Sequence, residues 1–142
     1  MTHYEIATLK TVIFGAGKAA AGLEAWLGAG TGTLLGAFAT DIGPLNEVFV
    51  LRGFDTLEAM MAERRRALLS ADPMGCSAFL VDLRFDSYVP FDFLPPVATG
   101  ALGPVYEVRS YRTRLNGIAE TQEKWRGAVP GRSAYSPLLF AG

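Results

Sequence analysis

Residues 3–15, HYEIATLKTVIFG, and residues 105–117, VYEVRSYRTRLNG, decide how this chain is read. Set one above the other without a gap, at an offset of 102, Tyr4/Tyr106, Glu5/Glu107, Thr11/Thr113 and Gly15/Gly117 are identical. Ile6/Val108, Thr8/Ser110, Lys10/Arg112 and Ile13/Leu115 are conservative pairs. Both segments run into a helix-like stretch carrying a tryptophan, Trp26 or Trp125, then a glycine-containing turn and a short apolar run. Internal similarity of this kind implies a repeated architecture. The alternative is chance likeness between two strands.

Working outward, residues 4–13 are rich in Tyr, Ile, Thr and Val, the residues of a pleated strand. Ala16, Ala19, Ala20, Leu23, Trp26 and Leu27 then recur at helical spacing, and GAGTG at 28–32 ends that helix. Residues 33–40 and 47–54 read as two strands joined through Asp41-Ile42-Gly43-Pro44-Leu45-Asn46. Asp55 or Thr56 caps a helix over 56–70 with Glu58 in its first turn, and Asp72-Pro73 stops it. Residues 77–86 supply a fourth strand. Strand-helix-strand-strand-helix-strand is the ferredoxin-like order of an α+β unit. Helices cover one face of such a sheet, and the other needs a second sheet.

This reading gives a complete unit at 1–86, a Pro/Gly linker at 87–104 and a partial second unit at 105–142. The second unit would hold a strand at 105–115, a helix at 117–127 and a strand at 134–141. Half of a second copy leaves a sheet edge open to pairing with another chain. The plainer alternative is that 134–142 is a short last strand pairing within the chain.

Half of the 142 residues are hydrophobic and 19% are charged, a globular composition. A net charge of −1 argues against a nucleic-acid partner held by bulk electrostatics. No stretch approaches the ~20 apolar residues that span a bilayer, and no signal peptide is visible. The single cysteine, Cys76, suits a reducing compartment and a cytoplasmic location, and reads as a small core residue. One His and one Cys make no zinc site, so no metal is expected. His3, next to the terminus, reads as a surface residue, which disfavours haem handling. Gly15-Ala16-Gly17-Lys18 lacks the spacing of either nucleotide-binding glycine motif, and no cofactor is expected.

The segment Tyr106-Glu107-Val108-Arg109-Ser110-Tyr111 resembles the opening of NIPSNAP-family domains. Gly43-Pro44-Leu45-Asn46-Glu47-Val48 is similar to that family's turn between its second and third strands. Phe54-Asp55-Thr56-Leu57-Glu58, followed by Arg64 and the stop at Asp72-Pro73, fits the entry to its second helix and the end of it. The resemblance implies a dimeric α/β-barrel, in which two ferredoxin-like sheets pack face to face, and a homo-oligomer. The first copy departs from the pattern, with Ala7 and Leu9 where the second has Arg109 and Tyr111. Family function is ill defined, so the resemblance assigns little chemistry.

In a strand, alternate residues share a face, so Glu107, Arg109 and Tyr111 point one way and Glu5 holds the matching position. Turned toward a second sheet, this polar set is the candidate ligand pocket. The bland reading is that these charges are solvated or hold the sheets together. On the helix from 56, Leu57, Met60, Met61 and Leu68 form the expected apolar stripe with Arg64 in its middle. An inward Arg64 needs a partner such as Glu5, Glu107 or Asp82. Its alternative is a packed stem with the head in water, and the run Arg64-Arg65-Arg66 is otherwise an ordinary solvated face. Two functions remain open: binding or converting a small molecule between the sheets, or a non-catalytic assembly module.

Overall fold

The computed structural model describes all 142 residues. They fall into two compact units, Met1–Val89 and Pro90–Gly142. The first contains β1 (His3–Thr11), α1 (Ala16–Gly28), β2 (Thr33–Ala39), β3 (Glu47–Phe54), α2 (Leu57–Leu69) and β4 (Leu80–Tyr88). The strands form one antiparallel sheet in the order β2-β3-β1-β4, the expected ferredoxin-like arrangement.

Alternation along the strands sorts the two faces. Ala7 and Leu9 of β1 and Val48 and Val50 of β3 are buried against Ala19 and Leu23 of α1 and Ala67 of α2. Each fully buried Val or Leu among them is worth about 1.5–3 kcal/mol. Met74 and Cys76, in the turns between α2 and β4, close the same core. That approach is tight: a Cβ on Gly22 of α1 would run into the Gly75 carbonyl, and Gly75 sits at φ +67°, where glycine is favoured.

α2 begins where expected, with the Thr56 hydroxyl accepting from Ala59 N at 3.1 Å and Glu58 in the first turn. β4 starts at Leu80 rather than 77, because Asp72 draws the preceding residues into turns: its Oδ1 accepts from Ser77 N at 2.8 Å. β1 stops at Thr11 rather than Ile13, and Phe14 turns the chain at φ 61°.

The α2 stripe differs from the expected one. Met60, Glu63 and Ala67 are buried, while Leu57, Met61 and Leu68 are 47%, 47% and 64% exposed. The helix is rotated because its inward face carries charge that meets charge on the sheet.

In the second unit α3 spans Gly117–Ser133, several residues beyond the expected 127 and through Pro130. The strands expected at 105–115 and 134–141 are not formed. β1 is hydrogen-bonded on both sides, by β3 and β4, whereas residues 105–115 have no ladder partner and are mostly exposed. A helix needs only local bonds, so α3 forms without such neighbours. Within this unit Arg126 ties α3 to the Pro-rich segment, bonding Asp92 at 2.9 Å and lying 4.7 Å from the Phe93 ring.

Candidate functional site

Glu5 is the centre of the charged cluster in the first unit. Its register partner across β1 and β3 is Arg52, and both side chains point to the helix-bearing face. The expectation that this polar position faces a second sheet is therefore corrected: Glu5 shares a face with Ala7 and Leu9 and lies under α2. Arg52 Nη2 donates to Glu5 Oε1. Arg64 donates to Oε2 through both Nε (2.9 Å) and Nη2 (2.7 Å), and its Nη2 also reaches Ser87 Oγ at 2.8 Å. Of the three carboxylates open to Arg64 by sequence, the fold selects Glu5.

The cluster continues through residues that sequence reading missed. Arg52 Nη1 lies 3.7 Å from Glu63 Oε2, and Arg66 donates to the same oxygen at 2.8 Å. Glu63 Oε1 accepts from Thr31 N at 3.0 Å, fastening the glycine-rich loop after α1. Arg66 also donates to the Trp26 carbonyl and lies 3.8 Å from the centre of that ring. The result is an alternating row, Arg64, Glu5, Arg52, Glu63, Arg66. Glu5, Arg52 and Glu63 are essentially dry at 0%, 1% and 5% exposure, while the outer arginines reach water.

Period-two spacing was the available signal for Arg52, which follows the buried Val48 and Val50 on β3. For Glu63 it was the spacing Met60, Glu63, Ala67, which an apolar stripe search passes over because a charge sits in it.

Burial pushes Glu63 upward, yet its hydrogen bonds from Arg66 and Thr31 and the charges of Arg66 and Arg52 outweigh that and hold the carboxyl below its ordinary range. Such a carboxylate stays ionised and fully engaged, a poor proton acceptor for a substrate. Arg52 keeps two buried nitrogens, Nε and Nη1, without a hydrogen-bond acceptor. Removing either carboxylate would therefore expose a large desolvation cost. Chemically the row is a clamp between sheet and helix.

Glu107, Arg109 and Tyr111 do come together, in the second unit and at its surface. Arg109 Nε donates to Glu107 at 2.7 Å, with both side chains about half exposed, and Tyr111 is 63% exposed. The guanidinium of Arg109 draws Glu107 below the carboxylate range; Glu107, then Tyr111, raises Arg109 in turn. Tyr111 also borders an open cleft of about 460 Å³ beside Trp125 and Lys124. No group of His, Cys, Asp and Glu side chains is placed to hold a metal. Burial, with the Asp72 carboxylate, pushes the Cys76 thiol up to about 11, so it packs as a core residue rather than reacting.

A split βαβ sheet with helices on one face and a charge clamp beneath the second helix defines a ferredoxin-like α+β unit. Comparison with known proteins makes the class specific. The NIPSNAP family model matches residues 1–98, and the chain belongs to that family. An uncharacterized NIPSNAP-like domain protein from Burkholderia xenovorans is 32% identical, with a TM-score of 0.55 over 69% of this chain and 92% of its own. A NIPSNAP family protein with unknown function from Agrobacterium tumefaciens is 26% identical, with a TM-score of 0.51 over 66% of this chain and 92% of its own. A second Burkholderia xenovorans NIPSNAP domain protein, 20% identical with a TM-score of 0.52, shares the fold. No curated protein matches the sequence. No helix is long and apolar enough to cross a membrane.

Proposed function

We propose that the chain is a self-assembling module whose helix-free sheet face packs against another sheet of the same kind, giving a dimeric α/β-barrel. The observation that carries this is the composition of that face. Ile6 on β1, Phe38 on β2 and Phe49 and Leu51 on β3 lie opposite the helices in register, with the charges Asp82, Arg84 and Asp86 along the β4 edge. An apolar centre with a charged rim is the pattern of an interface. Residues 105–115, matched to β1, are on this reading the first strand of a partial second copy that orders when a ladder partner is supplied. The module belongs in the cytoplasm, where a lone thiol such as Cys76 stays reduced. Sedimentation velocity tests the reading: the chain associates at micromolar concentration, and Phe49→Glu, with unchanged far-ultraviolet dichroism, dissociates that contact. Equal association by the variant would refute it.

A second reading, binding or conversion of a small molecule between the sheets, draws support from Thr8. Its hydroxyl is buried on the same face without a hydrogen-bond partner, between Phe49 and Arg84 in register. Tyr4 and Tyr88 pair across β1 and β4 two steps along the same face, and burial, aided by Asp86, raises the Tyr88 phenol and keeps it a donor. This reading moves the pocket from Glu5, Arg64, Glu107, Arg109 and Tyr111 to the residues beside Thr8. A ligand at ~100 times its dissociation constant would add ~2.7 kcal/mol of stability, an effect that Thr8→Val should weaken.

A further inference from the structure

The charge clamp turns α2 so that its long apolar side chains other than Met60 look outward. Leu57, Met61, Leu68 and Leu69 are 47%, 47%, 64% and 71% exposed on one helix. Met61, Ala62, Arg64, Arg65, Leu68 and Leu69 line a mainly apolar groove of about 470 Å³ there. Scattered surface leucines are ordinary, but a contiguous stripe of them marks a contact. The same outer face carries Glu58 and Arg65, both exposed, and neither forms an ion pair within the chain. On either side of Arg65, Arg64 and Arg66 are committed to Glu5 and Glu63.

We infer that this face of α2 pairs antiparallel with α2 of a second copy of the chain, across a two-fold axis passing by Glu63. Glu63 is the middle residue of the helix Leu57–Leu69. Reversing a copy about it sets Leu57 against the second copy's Leu69 and Met61 against the aliphatic stem of its Arg65. Glu58 then falls within one turn of that same Arg65, and the symmetry makes the ion pair twice. The charges select the occupant: the surface offers one anion and one cation, and a reversed copy of itself answers both. Self-complementarity about a two-fold axis is also the commonest form of association. The contact is separate from the sheet face and adds a second association step to the one proposed there.

The test is a charge exchange read by sedimentation on the full chain. Glu58→Arg leaves the face doubly positive and Arg65→Glu doubly negative, so each alone should weaken the α2 step by at least roughly tenfold. An equimolar mixture of the two variants should regain it, as should the double variant E58R/R65E, and recovery in the mixture excludes a folding defect. Leu68→Glu should abolish the step, while Phe49→Glu should leave it in place. Unchanged association by the single variants, or no recovery in the mixture, overturns the inference. Absence of any step sensitive to Leu68→Glu would do the same.

Discussion

Residues 3–11 and 105–113 share a pattern, yet one is the most buried strand of the molecule and the other is mostly exposed and joins no strand ladder. Glu5 lies at 0% exposure between two arginines; Glu107, also set between a tyrosine and an aliphatic residue, meets Arg109 in water. The difference teaches that alternation and β-branched residues make a segment able to be a strand, while neighbours supply the ladder that makes it one. It also shows how one carboxylate position changes meaning with its surroundings. Buried, it anchors a helix; exposed, it is one of many surface ion pairs, which are worth little.

The largest effect expected from breaking this comparison is at that carboxylate. Glu5→Ala leaves buried Arg52 with only the longer pairing to Glu63 and should cost about 3–5 kcal/mol in urea unfolding. Glu107→Ala should leave the urea midpoint essentially unchanged. Next come glycines of opposite character. Gly22→Ala places a methyl group against the Gly75 carbonyl and should cost about 1–3 kcal/mol. Gly127 of α3 has open space around it, so Gly127→Ala should gain about 0.5–1 kcal/mol, seen as increased helicity.

Helix starts give a smaller contrast. Thr56→Ala removes the α2 cap and should cost about 1 kcal/mol, whereas Asn116 before α3 makes no side-chain cap, so Asn116→Ala should remove no such bond. The smallest effect is in pH. Glu63 is held below its ordinary 4.5 in the folded chain, so its contribution is present above that value and is lost as pH falls through the lower folded one. The stability difference between wild type and Glu63→Gln should therefore shrink as urea midpoints are measured from pH 5 downward.

Much of the first unit was legible because several local signals agree. The Thr56 cap, the turn at Gly43-Pro44 and the alternation of β1 and β3 all specify one strand and helix order. Glu5 with Arg64 was legible only in part, as one of three carboxylate partners weighed beside a head in water. Arg52, Glu63 and Arg66 were not, because each looks like a surface charge until the pairing of β1 with β3 brings Arg52 opposite Glu5. The outward turn of Leu57, Met61 and Leu68 was hidden for the same reason: ion pairs chose the helix rotation that hydrophobicity alone would reject. The strand expected at 105–115 is not formed despite the likeness, since sequence records a segment's character and not whether its partners are there.

Residue-resolved amide hydrogen exchange tests that last point most directly. Amides of β1 from Tyr4 to Lys10 should be among the slowest in the chain, and those of residues 105–115 should exchange nearly as fast as unfolded peptide. Comparable protection in the two segments of the unassociated chain would contradict the account, because it would require a ladder at 105–115 that the fold does not contain.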